Sequence, residues 1–152
     1  RKMMYQTNSE QETFDFGAAL GAGLQAGDCV LLTGDLGAGK SVVARGVASA
    51  HGVTEAMPSP TFVLMIPHEG DLPVYHFDLY RLEDPDEFYQ AGLQEYLGGD
   101  GIAVIEWPEC ANIAPPGAVR VEVLRGEGDD QRRIRVEAPE NLQNRLAPWR
   151  ID

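Results

Sequence analysis

The chain has 152 residues, of which 43% are hydrophobic and 24% charged, and this suits one soluble domain with a core of its own. A formal net charge of −12, with no basic stripe, argues against direct, unaided binding of nucleic acid, whose affinity comes from clustered Lys and Arg. No apolar run approaches the roughly 20 residues of a membrane-spanning helix and no signal-peptide pattern opens the chain, so a cytoplasmic location is expected, with Cys29 and Cys110 as free thiols.

Met3 to Thr7 is predicted as an edge strand. Ser9 and Glu12 then have the spacing of a capping box, and Phe16, Leu20 and Leu24 recur every four residues, giving an amphipathic helix that stops near Gly27. Cys29 to Thr33 reads as a buried parallel strand. It runs into Gly34-Asp35-Leu36-Gly37-Ala38-Gly39-Lys40-Ser41, which matches G-x-x-x-x-G-K-[ST]. A helix is predicted from Ser41 to Ala50, with Gly52 just past its end.

Each fixed position of that loop has a physical reason. A polyphosphate needs a cradle of backbone N–H groups, and Gly34, Gly37 and Gly39 leave room for it. Lys40 supplies a point charge for the β- and γ-phosphates, Ser41 a hydroxyl for Mg²⁺, and the helix that follows, with Val42 in its first turn, directs its N-terminus at the anion. Lys40 is the one lysine besides Lys2, so the single internal lysine sits where this chemistry requires it. The loop implies a bound nucleoside triphosphate. No N-K-x-D guanine-reading motif occurs, which favours ATP over GTP.

After the prolines Pro58 and Pro60, Thr61 to Ile66 and Val74 to Leu79 read as a hairpin turning at His68 to Asp71. Asp84 is predicted as the cap of a second helix, with Pro85 at its first position, Glu87 closing a capping box and Gly98 ending the helical region. Ile102 to Ile105 is a buried-strand run leading into Glu106-Trp107-Pro108. Val119 to Leu124 and Ile134 to Glu137 form a second hairpin, and Pro139 to Leu146 a final helix. The expected fold is a single α/β domain of the P-loop NTPase kind: a mixed sheet with a parallel core and antiparallel additions, flanked by helices.

A P-loop enzyme places a carboxylate near the metal at the end of a strand beside the P-loop strand. Asp78 and Glu106 both qualify; one would hold Mg²⁺ and the other orient water, with Glu106 favoured for the metal. Thr61 is placed to sense the γ-phosphate. Trp107 suits either a core or an interface, Arg132 or Arg133 either a nucleotide contact or surface charge, and His51, His68 and His76 lack ligand spacing.

Four motifs in series, GDLGAGKS, SPTF (Ser59 to Phe62), YHFDLYRLEDPDE (Tyr75 to Glu87) and IEWPE (Ile105 to Glu109), resemble the bacterial TsaE (YjeE) family over roughly residues 5 to 137. The resemblance implies an Mg²⁺-dependent ATPase required for threonylcarbamoyl modification of tRNA adenosine, acting by binding a TsaB–TsaD heterodimer. It implies metal ligation by Ser41 and Glu106, a role for Asp78, a switch at Ser59 to Thr61, and nucleotide contacts near Glu10 and Arg132. Ser41 stands where the family usually has threonine, and residues 138 to 152 lie outside the resemblance. A small-molecule P-loop kinase is the alternative reading; its expected arginine-rich lid is not visible, with Arg81, Arg120 and Arg125 dispersed.

Overall fold

The computed structural model describes residues 1–54, 57–58 and 63–152. The first strand, β1 (Lys2–Thr7), lies at a sheet edge as its pattern predicts. Helix α1 (Glu10–Ala22) starts at Ser9, whose hydroxyl accepts from the Glu12 amide at 3.0 Å. The Glu12 carboxylate accepts in return from the amide of Asn8 at 3.2 Å, one residue earlier than a capping box has it. The helix ends at Ala22, short of the predicted Gly27. Gly23 caps it, and residues 25–28 form a turn in which Asp28 Oδ2 accepts from the Gln25 amide and Gly27 takes φ 93°.

Strand β2 (Cys29–Thr33) delivers the chain to the glycine loop, and α2 (Lys40–Ser49) follows one residue earlier than predicted. The first hairpin pairs β3 (Met65–His68) with β4 (Val74–Asp78), so His68 belongs to the strand and the turn follows it. Helix α3 (Asp86–Gln90) is short, with Pro85 at the cap position. Asp84 Oδ1 accepts from the Asp86 amide at 2.9 Å. Gly92 at φ 73° breaks the predicted longer helix, and only a 3₁₀ turn over Leu93–Tyr96 continues it. Strand β5 (Ile102–Glu106) is buried throughout. The second hairpin joins β6 (Val119–Arg125) to β7 (Arg132–Glu137), and α4 (Glu140–Arg145) follows.

Among the described residues the strands form one sheet in the order β1-β7-β6-β2-β5-β4-β3. β6, β2, β5 and β4 are mutually parallel, whereas β7 and β1 on one side and β3 on the other are added antiparallel. The expected parallel core with antiparallel additions is what the fold contains. β2 lies centrally between β5 and β6, so its C-terminal end opens at a topological switch point, where α/β proteins bind ligands.

The larger core lies between one sheet face and helices α1, α2 and α4, with Phe16, Leu20, Val43 and Val47 fully buried. Two glycines let α1 and α2 touch backbone to backbone: a Cβ on Gly17 would lie 2.4 Å from the Val43 carbonyl oxygen. One on Gly46 would lie 2.2 Å from that of Phe14. The opposite face of β2, β5 and β4 packs a smaller core around Phe77, Phe88 and Ile105. The segment after Pro139 is integral to the larger core. Leu142 and Leu146 are buried there, the Trp149 ring lies 5.6 Å from that of Phe16, and Tyr5 donates its hydroxyl to Gln143.

Candidate functional site

The glycine loop leaves β2 in conformations that few side chains tolerate. Gly34 has φ 134° and Gly39, which caps α2, has φ 110°. A Cβ on Gly34 would also lie 2.2 Å from the Val123 carbonyl oxygen of β6. The loop therefore follows the neighbouring strand closely and enters α2 with Lys40 as its first residue.

Lys40 is 4% exposed and donates to the carbonyls of Gly34 and Asp35. Burial pushes its ammonium below the usual lysine range, against the pull of Glu106, Glu109, Asp78 and Asp35. Its Nζ also lies 4.3 Å from the centroid of the Trp107 ring, a cation–π contact worth about 0.5–2 kcal/mol. Trp107 reaches this place because its backbone is left-handed, at φ 58°, immediately before Pro108. Such a conformation costs on the order of 1–3 kcal/mol in a non-glycine residue and persists where the surroundings enforce it. Here the Trp107 amide donates to the Leu32 carbonyl and its ring packs 4.8 Å from that of Tyr80. Trp107 is thus neither a core anchor nor a bare surface residue; it is half-buried and walls the lysine.

Ser41 Oγ donates to Glu106 at 3.1 Å from Oε1 and 3.3 Å from Oε2. Glu106 closes β5 directly beside the P-loop strand, in register with Leu32, and is 3% exposed. Its Oε2 also accepts from His76 Nε2 at 2.6 Å. Asp78 is the parallel-register neighbour of Glu106, and its Oδ1 accepts from the Tyr80 amide at 3.0 Å. Leu36, Gly37, Gly39, Lys40, Ser41, Asp78, Glu106 and Trp107 line one groove of about 250 Å³.

A second depression of about 180 Å³ adjoins it across Gly37 and Gly39, lined by Glu10, Thr13, Val42, Asp130 and Arg132. Glu10 and Arg132, near which the resemblance implies nucleotide contacts, therefore both lie beside the glycine loop, although they are far apart in sequence. Arg132 braces the loop directly, with Nε donating to the Ala38 carbonyl at 2.6 Å and Nη1 to that of Asp129 at 2.7 Å. Arg125, one of the arginines read as dispersed, donates to the Leu36 carbonyl at 3.3 Å. The β6–β7 hairpin thus holds two carbonyls of the loop.

Thr61 and the Ser59-to-Thr61 switch lie outside the described residues. Two residues that the sequence did not single out have clear places: His76 on Glu106 and Arg125 on Leu36. Strand periodicity was the available signal for His76, because it sits two residues before Asp78 and so shares its face. For Arg125 no local signal existed.

Among the described residues no group of three or more His, Cys, Asp and Glu side chains is arranged to hold a metal. A serine hydroxyl beside one carboxylate suits a different kind of ion: Mg²⁺, which takes one or two protein oxygens and fills its other positions with phosphate and water. The donor set fits that ion. No helix among the described residues is long and apolar enough to cross a membrane.

The comparisons with known proteins agree with one another. A family model described as threonylcarbamoyl adenosine biosynthesis protein TsaE matches residues 7–134. The chain is 35% identical over 147 residues to the tRNA threonylcarbamoyladenosine biosynthesis protein TsaE of Bacillus subtilis, covering 96% of this chain and 92% of that protein. It is 39% identical over 131 residues to the protein of the same name from Treponema pallidum, covering 86% of this chain and 96% of that one. In three dimensions it is similar to the crystal structure of YdiB from Bacillus subtilis, with a TM-score of 0.79 at 30% identity, covering 97% of this chain and 95% of that one.

Proposed function

The chain belongs to the TsaE family of tRNA threonylcarbamoyladenosine biosynthesis, and we propose that it serves there as a Mg²⁺-dependent ATPase driving a TsaB–TsaD heterodimer. The observation that carries this reading is the convergence of Lys40, Ser41, Asp78 and Glu106 on one groove beside the glycine loop. ATP lies with its phosphates along that groove and its nucleoside toward Glu10, Val42 and Arg132. Lys40 exchanges the carbonyls of Gly34 and Asp35 for phosphate oxygens. Ser41 and Glu106 hold the metal, and Asp78 orients the attacking water from the adjacent strand end. When bound, Mg²⁺ neutralises charge on the β- and γ-phosphates.

The partner pair supplies what the chain alone does not. P-loop hydrolases gain roughly 10³- to 10⁵-fold in turnover where a partner completes the site with an arginine. With a net charge of −12, this protein is suited to docking on a basic protein surface while its partners contact the tRNA. A cytoplasmic location follows from that role.

The test is ATP hydrolysis with and without the TsaB–TsaD pair, with Lys40→Ala as control. Low turnover alone and a sharp rise with the pair are expected. Robust turnover that ignores the pair would count against the proposal, as would an active Lys40→Ala protein.

A further inference from the structure

We propose that His76 is the positioning residue that keeps the Glu106 carboxylate aimed at the metal-binding side of the groove. The inference rests on the reading of Ser41 and Glu106 as the metal's protein ligands.

Glu106 is almost wholly buried, and a buried carboxylate needs donors. Among the described residues two side chains donate to it, Ser41 and His76. Ser41 is itself a ligand in this reading, so its hydroxyl turns to the ion when the site is loaded. His76 has no such second duty. Its side chain is 1% exposed, and Nδ1 meets no hydrogen-bonding partner, so among the described residues its one polar contact is the 2.6 Å bond to Oε2.

The strand register explains why this residue is in reach. β4 and β5 are parallel, with His76 opposite Val104 and Asp78 opposite Glu106, so His76 lies one pleat back on the face that carries Glu106. The bond fixes Oε2, while Oε1 is the carboxylate oxygen nearer Ser41, at 3.1 Å against 3.3 Å for Oε2. Fixing a ligating carboxylate in this way is worth about 10- to 100-fold in metal affinity where such partners have been removed.

A merely structural histidine would alter stability without altering the metal. The experiment therefore measures ADP affinity calorimetrically, with chelator and with Mg²⁺, for the native protein and for His76→Leu, His76→Asn and His76→Gln. Denaturant unfolding is measured for each. Leucine fills the space without donating. The Gln amide nitrogen can reach the position of Nε2, whereas that of Asn stops short.

The expected result is an Mg²⁺-dependent gain in ADP affinity that falls about tenfold or more in the Leu and Asn variants and returns to within about threefold of native in Gln. Metal-free ADP affinity should stay level throughout. Equal Mg²⁺ gain in the native, Asn and Gln proteins overturns the positioning role and leaves the metal reading standing. A native protein whose ADP affinity ignores Mg²⁺ overturns both. The Asn–Gln contrast remains decisive if the leucine variant does not fold.

Discussion

Ser41 and Glu106, 65 positions apart in sequence, are joined by a hydrogen bond of 3.1 Å between the first turn of α2 and the end of β5. That contact brings a hydroxyl and a carboxylate to the same wall of the groove as Lys40. Removing either group should therefore act on the same event. Ser41→Ala and Glu106→Gln are each expected to reduce Mg²⁺-dependent hydrolysis by about 10- to 100-fold, in line with about 1.5–3 kcal/mol for a hydrogen bond to a charged group. The double variant should fall short of the product of the two losses. Steady-state turnover with the partner pair present, analysed as a double-mutant cycle, gives the coupling, and strict additivity would show that the two residues act separately.

Arg132 ties the β6–β7 hairpin to the Ala38 carbonyl of the glycine loop. Arg132→Ala should weaken ADP binding by about 5- to 30-fold, the equivalent of about 1–2 kcal/mol. Arg132→Lys should recover only part of this, because one ammonium cannot span the carbonyls of Ala38, Asp129 and Gln131 that the guanidinium joins. Titration calorimetry on the three proteins distinguishes this from a surface charge, for which neither change would matter.

Cys29 gives the protein a predictable alkaline weakness. Burial, with a smaller contribution from Asp28, pushes its thiol from 9.0 up to about 12. Above pH 9.0 the unfolded thiol ionises while the folded one keeps its proton, so the native state binds more protons and stability falls as pH rises. The slope from this group approaches about 1.4 kcal/mol per pH unit. Cys29→Ala should remove that contribution to the slope between pH 9 and 10.5 whatever its effect at neutral pH, as read by urea unfolding across the range.

Leu146 tests whether the end of the chain belongs to the core. It is fully buried with Leu142 against the α1 side of the sheet. Leu146→Ala is expected to cost about 2–5 kcal/mol in denaturant unfolding. ADP affinity of the folded variant should stay unchanged, because neither groove includes this segment. A shift below about 0.5 kcal/mol, typical of surface substitutions, would mean that the tail is dispensable.

What the sequence by itself determined is what short-range chemistry dictates. The strand–glycine-loop–helix order, the Ser9 cap, the buried run ending at Glu106 and both hairpins depend on residues within a few positions of one another. Helix ends were less legible. α1 ends at Ala22, before Gly23, and α3 at Gln90, two residues before Gly92, because a capping turn and a left-handed glycine compete locally with apolar periodicity that runs on past them. The choice between Asp78 and Glu106 was open for a different reason: both are acids at strand ends, and sequence pattern does not say which side chain meets Ser41.

Which side chain meets Ser41 is decided only by the tertiary structure, through strand order and register. Placing β5 beside β2 brings Glu106 to Ser41, and parallel pairing with β4 brings His76 to the same carboxylate. The same long-range packing sets Arg125 and Arg132 on the loop, turns Trp107 over Lys40, and buries the segment after Pro139. Each of these contacts joins groups on separate elements, whose separation in space is set by sheet topology and core packing and leaves no periodic trace along the chain. The glycine loop forms from local sequence; the sheet assembles the groups that surround it.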